Sequence, residues 1–235
     1  MIKGVAFDLE GTIIDLEWAH WQGHLAAAQE AGLSLSLEQA IREIPCFIGG
    51  PDERISETIA KLCGNNTGAA ILPTRSKYHF QKLLASVQEI RPRPGFLDVL
   101  KTILERGIPV AIGSLTDTFL ATRLIRNSGL DSYFYSDKVV LKENVAKLKP
   151  APDVYLHTAK ALGVSPEEQL VFEDSVNGVI AARSAGSKVI AVPIVQSSEF
   201  VSQLLGGGAL CVVRAWSEIN MDIVLDDPND SKKED

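Results

Sequence analysis

Four carboxylates and two hydroxyls stand where short apolar runs of this chain end, with an ammonium nearby. Asp8-Leu9-Glu10-Gly11-Thr12 follows the run Ile2–Phe7, Gly113-Ser114-Leu115-Thr116 follows Pro109–Ile112, and Glu173-Asp174-Ser175 follows Gln169–Phe172. Lys149 precedes the helix start Pro150-Ala151-Pro152-Asp153. Taken singly, each has an ordinary structural explanation. An acid near Gly after a strand is commonly a turn, Ser114 and Thr116 read as caps of the next helix, and Lys149 as a solvated lysine. Glu173 and Asp174 suit a helix N-terminus. Together they ask for more. Carboxylates converging at one sheet edge repel one another unless a cation lies between them, and oxygen-only ligands favour magnesium over zinc.

The elements that must bring these residues together are readable. Strands are expected at Ile2–Phe7, Pro109–Ile112, Gln169–Phe172, Lys188–Val192 and Leu210–Val213, each short and apolar nearly throughout, as in strands covered on both faces. Helices fall between them: Gly95–Arg106 before Gly107, Thr116–Ser128 before Gly129, and a third from Pro152 to Leu162 before Gly163. Alternation of this kind builds a parallel, Rossmann-like sheet, and ligands bind such sheets at the carboxyl ends of the strands. Between about Asp15 and Ile90 no strand pattern appears. Helical segments follow one another at Leu16–Ala31, Leu37–Ile44, Asp52–Leu62 and Arg75–Glu89, with Ser36 and Gln39 spaced as a capping box. The turn Arg91-Pro92-Arg93-Pro94-Gly95 returns the chain to the α/β pattern. The expected organisation is therefore an α/β core of residues 1–14 and 91–225, an inserted helical domain of residues 15–90, and a polar, disordered tail at 226–235.

Composition narrows the function classes. The 235 residues are 46% hydrophobic and 23% charged, which excludes collagen-like, low-complexity and wholly disordered chains. A net charge of −7 fits poorly with a nucleic-acid backbone or an anionic membrane, so neither is an expected partner. Three scattered cysteines, Cys46, Cys63 and Cys211, make neither a disulfide framework nor a zinc motif. The N-terminal MIKGVAFDLEG does not read as a signal peptide, and no apolar run reaches the 18 or so residues of a membrane span. A soluble, reduced, cytoplasmic protein is expected, monomeric or weakly oligomeric.

DLEGT, the Ser114 strand end, KPAPDVY and VFEDSVNG resemble, in order and spacing, the four motifs of the haloacid dehalogenase superfamily of phosphohydrolases. KPAPD and FEDS are especially similar to the subgroup of β-phosphoglucomutase and related sugar-phosphate phosphatases, and the helical insert lies where that group has its cap. The resemblance covers Ile2 to about Pro193. It implies that Asp8 is the nucleophile, taking the phosphoryl group as an aspartyl-phosphate. It also implies that Asp8, Asp174 and the backbone carbonyl of Glu10 hold magnesium, supported by Glu173. Ser114 then hydrogen-bonds the transferring phosphoryl oxygens, Lys149 neutralises them, and Glu10 serves as general acid and base. These roles suit phosphoryl transfer, where charge spread over three equatorial oxygens is met by positioning and electrostatics.

Two residues depart from the common pattern. Most relatives have Asp where this chain has Glu10, whose extra methylene adds about 1.5 Å of reach, and Leu115 replaces a small or amide residue, leaving Thr116 as a candidate phosphate contact. In the insert, His20 resembles a cap histidine that meets the second acid, or is a packing residue. Arg54, after Gly49-Gly50-Pro51-Asp52-Glu53, is placed like a substrate-specificity residue, or is an exposed helix arginine. The expected activity is magnesium-dependent hydrolysis of a small phosphate monoester, a sugar or polyol phosphate. The alternatives are a phosphomutase, and a phosphate-binding protein without turnover because of Glu10.

Overall fold

Every residue of strand β1 (Gly4–Phe7) is buried, so neighbours must flank it on both edges and cover both faces. They do. In the computed structural model, which describes residues 1–44, 47–48, 52–64 and 70–225, β1 is central in a six-stranded parallel sheet. The other strands are β2 (Val110–Gly113), β3 (Val139–Val140), β4 (Gln169–Glu173), β5 (Lys188–Ala191) and β6 (Cys211–Val212), in the order β3-β2-β1-β4-β5-β6. β1 pairs on one edge with β2, Val5 opposite Val110, and on the other with β4, Val5 opposite Leu170. Strand order reverses between β1 and β4, and this switch point is where such sheets bind ligands. Each expected strand forms to within two residues at its ends. β3 was not expected, because two residues carry no periodicity.

The chain divides into two compact units, residues 1–15 with 89–235 and residues 16–88. In the first, alternate residues of the strands face opposite layers. Ala6, Ala111, Val171 and Val189 pack with Val154, Tyr155 and Leu162 of α7 (Asp153–Leu162) and Val179 and Ala182 of α8 (Val176–Ala185). On the other face Phe7 stacks on Phe172, centroids 5.3 Å apart, and meets Phe96 of α5 (Phe96–Glu105) edge to face at 5.3 Å. Trp216 closes this group, 5.1 Å from both Phe96 and Phe172. The remaining helices of the unit are α6 (Thr118–Asn127), α9 (Ser198–Gly206) and α10 (Met221–Leu225). Helix α6 starts two residues later than the pattern suggested. Asp117, not Thr116, is its N-cap and accepts from the Leu120 amide at 3.0 Å.

The second unit holds α1 (Glu17–Glu30), α2 (Leu37–Glu43), α3 (Asp52–Leu62) and α4 (Leu72–Ser86), with no strand among its described residues. Ser36 and Gln39 form the capping box of α2. Helix α4 begins three residues earlier than expected, with Pro73 in its first turn, and ends earlier too. Buried His24 ties three helices together. Its Nδ1 lies 3.1 Å from Ser76 Oγ on α4, and its Nε2 lies 3.0 Å from an Asp52 carboxylate oxygen at the start of α3. Helix α1 packs tightly on α4 at Gly23, where a Cβ would lie 2.7 Å from the Ser76 carbonyl oxygen. Cys46, the Gly49-Gly50-Pro51 turn and the 226–235 tail lie outside the described residues. No described helix is long and apolar enough to cross a membrane.

Gly23→Ala adds about 1 kcal/mol of helix propensity, but its methyl meets a backbone carbonyl that cannot swing away, and overpacking costs up to about 3 kcal/mol. The expected outcome is a net destabilisation of about 2 kcal/mol, read as a lower midpoint in thermal or denaturant unfolding.

Candidate active site

Adjacent strands place the first two acids. The Asp8 amide donates to the Phe172 carbonyl at 3.0 Å, so the residues leaving β1 and β4 stand side by side, Asp8 next to Glu173. Lys149 Nζ sits between them. It donates to Asp8 Oδ1 and to Glu173 Oε1, both at 2.6 Å, and to the Gly113 carbonyl at the end of β2 at 3.2 Å. The same Glu173 oxygen accepts from Tyr155 Oη at 2.8 Å, and the Lys149 ammonium lies 5.0 Å from the Tyr155 ring centre. The other Glu173 oxygen accepts the Asp174 and Ser175 amides, both at 2.9 Å, and the Ser175 hydroxyl at 3.0 Å. Both Glu173 oxygens are thereby taken up within the protein.

The remaining site residues lie on the loops around this pair. Thr12 Oγ1 donates to Asp174 Oδ1 at 3.1 Å. Gly11, with φ +80°, passes so close to Asp174 that a Cβ would stand 2.0 Å from its Oδ2, which only glycine permits. Ser114 and Thr116 are buried with their hydroxyl oxygens 2.9 Å apart, and Thr116 Oγ1 donates to a Glu10 carboxylate oxygen. The structure therefore gathers Asp8, Glu10, Ser114, Thr116, Lys149, Glu173 and Asp174 at one sheet edge. His20 and Arg54 belong to the helical unit. The His20 ring stacks on Phe80, centroids 4.2 Å apart, and Arg54 is exposed on α3.

Burial and shared charge perturb this cluster. Desolvation pushes the Asp8 carboxyl up to about 7, helped by the charges of Glu173 and Glu10 and opposed by Lys149. Asp174 is raised well above the carboxylate range, again by burial first, then by Glu173 and Asp8. Glu173 goes the other way, because Lys149, the Ser175 amide and Tyr155 outweigh its burial. Lys149 is likewise held above its ordinary value, Asp8 and Glu173 overcoming desolvation. One ammonium thus faces three acids, Asp8 and Glu173 buried and Asp174 half-buried.

A family model for haloacid dehalogenase-like hydrolases matches residues 2–186. The chain belongs to that family. It is 32% identical over 189 residues to the fructose-1-phosphate phosphatase YqaB of Escherichia coli, covering 80% of this chain and 95% of that one. It is 28% identical over 222 residues to a phosphorylated carbohydrates phosphatase of Thermotoga maritima, covering 94% and 98%. Among solved structures, CbbY from Rhodobacter sphaeroides in complex with phosphate superposes with a TM-score of 0.64 at 27% identity, covering 93% and 96%.

The donor chemistry of this hydrolase suits a hard divalent cation. Asp8, buried, and Asp174, half-buried, are acids that repel each other, and the site's other acids and hydroxyls offer only oxygens. Among the described residues, no three His, Cys, Asp or Glu side chains are arranged to hold a metal by themselves, so backbone and substrate oxygens must complete any shell.

Two residues that sequence reasoning passed over hold the Glu10–Thr12 loop. Arg93 donates from Nη1 to the carbonyls of Gly11, at 2.6 Å, and of Val192, with longer contacts to the carbonyls of Thr12 (3.4 Å) and Pro193 (3.5 Å). Its own amide donates to the Ile13 carbonyl at 2.7 Å. Trp216 Nε1 donates to the Thr12 carbonyl at 3.2 Å, across 204 residues of chain. Arg93 was legible only as part of a rigid turn, and Trp216 stood in a stretch without motifs. Arg93→Met leaves partly buried carbonyls on both loops without their donor, and each such loss costs about 1–3 kcal/mol. A destabilisation of roughly 3 kcal/mol is expected, measurable as a lower denaturant midpoint with unchanged slope.

Proposed function

We propose that this protein hydrolyses a small phosphate monoester, of the sugar- or polyol-phosphate kind, through a phosphoryl group carried on Asp8. The observation that carries the reading is the placement of Lys149 between Asp8 and Glu173, which sets an ammonium beside the carboxylate that attacks. An Asp8 oxygen attacks phosphorus and the phosphorus–ester oxygen bond breaks. The departing alkoxide takes its proton from Glu10. Water then attacks the acyl phosphate, Glu10 takes up its proton, and inorganic phosphate leaves with Asp8 restored. Dividing the displacement in this way replaces one difficult step by two easier ones. Ser114 donates to the phosphoryl oxygens, and Lys149 offsets their charge as it spreads over three oxygens.

Asp8, Asp174 and the backbone carbonyl of Glu10 are the groups that would hold magnesium. Bound there, the ion supplies charge neutralisation that lets a carboxylate approach a phosphate dianion. The phosphatase names of the Escherichia coli and Thermotoga maritima relatives support the substrate class, and the CbbY structure in complex with phosphate supports phosphate binding. The helical unit, in this reading, is the cap, and His20 and Arg54 are its candidate substrate-binding residues.

The test is phosphate release from a panel of sugar and polyol phosphates, with and without magnesium, with Asp8→Asn alongside. Turnover that needs magnesium and falls by at least about 10³-fold in Asp8→Asn is expected, the scale on which loss of a nucleophile acts. Turnover that survives in Asp8→Asn would remove Asp8 from the chemistry.

A further inference from the structure

The Glu10 carboxylate is held by a threonine hydroxyl from the loop that follows β2. We infer that Thr116 is the positioning residue for Glu10, and that the two form a matched pair in which the threonine hydroxyl fixes the longer acid. The inference rests on the hydrolase reading above and deepens it.

The argument is one of hydrogen-bond supply. A threonine hydroxyl has one proton. In Thr116 that proton goes to Glu10 Oε1, which accepts it equally when the acid carries its own proton on Oε2. Ser114 Oγ and Thr116 Oγ1 are 2.9 Å apart, so Ser114 must be the donor in that bond. Ser114 Oγ in turn accepts from the Thr116 amide at 3.3 Å. The result is a directed chain from Thr116 N to Ser114, from Ser114 to Thr116 Oγ1, and from there to Glu10. Both hydroxyls are buried, and each link polarises the next. Thr116 is not the N-cap of α6, which is Asp117, so its hydroxyl has no competing duty in the helix.

Two consequences follow. A glutamate with one more methylene has about 1.5 Å more reach than aspartate and one more rotatable bond to fix. Thr116 supplies the fixed point, and an aspartate at position 10 falls short of it. Moreover, when Ser114 turns its proton toward a phosphoryl oxygen, Thr116 Oγ1 loses its donor and its hold on Glu10 loosens. Arrival of the phosphoryl group thereby releases the acid toward the leaving oxygen.

The experiment is a double-mutant cycle over Thr116→Val and Glu10→Asp, with Thr116→Ser as the conservative control. Two substrates are compared by kcat/KM: the panel's fastest sugar or polyol phosphate, and p-nitrophenyl phosphate, whose phenolate departs without a proton. General acid–base catalysis is worth about 10²–10⁴-fold in all. Thr116→Val is expected to lower kcat/KM on the alkyl phosphate by about 10-fold or more and on the p-nitrophenyl ester by less than about 3-fold. In the Glu10→Asp background the same change costs less than about 3-fold on either substrate, the non-additivity expected of touching residues. Thr116→Ser stays within about 3-fold of the parent. Equal losses on both esters, or full additivity with Glu10→Asp, overturn the pairing while leaving the hydrolase reading intact. A parent that releases phosphate from neither substrate overturns both.

Discussion

A single ammonium shared between buried carboxylates governs the architecture of this hydrolase. Leaving Asp8 and Glu173 side by side without a cation would force one of them to take a proton, since like charges in a poorly solvated place cannot both persist. Lys149 opposes that, and much of the core unit serves to hold it there. Tyr155 offers its hydroxyl to the same Glu173 oxygen and its ring face to the ammonium. Tyr155 in turn depends on the seating of α7, where Thr158 donates to buried Gln169 at 2.8 Å and Gln169 donates back to the Tyr155 carbonyl at 3.0 Å. The polar interior is thus a satisfied chain that starts in the sheet and ends at the lysine. Such chains are costly when incomplete, which is why each member has a partner.

The parallel sheet is the other half of that constraint. Residues so far apart in sequence become neighbours because β1 pairs with β4, and Lys149 enters from the segment just before α7. Arg93 and Trp216 then fasten the loop that carries Glu10 and Thr12 to the layers beside and beneath it. The reactive groups rest on backbone held from several directions, an arrangement that limits the displacement of any one of them.

How much of this could be read from the chain depended on where the information lay. Short apolar runs announce strands covered on both faces, and three of the four motifs stand at the ends of such strands, so the sheet edge and its acids were legible. Ser36 and Gln39 announced a capping box because both partners lie three residues apart. β3 escaped notice at two residues, and the start of α4 was set by Pro73 where the pattern pointed to Arg75. Thr116 and Asp117 are both good caps, and only the backbone geometry chooses between them. His24, Arg93 and Trp216 were illegible for one reason: their partners are distant in sequence, and a buried histidine or arginine looks like any other until the groups it satisfies are known.

The position of β1 also bears on the order in which the chain can acquire its structure. Of the six strands of the sheet, the earliest in sequence is a central one, and its neighbours begin at residues 110 and 169. Lys149 meets Asp8 across 141 residues, and Trp216 reaches the Thr12 carbonyl across 204. Loop closure on this scale is entropically slow, and a chain emerging from the ribosome offers its oldest strand no partner on one edge until most of the sequence has followed. Only when residue 216 arrives is the aromatic layer under β1 closed, so the last stretch of chain to join the core is the one that seals the first.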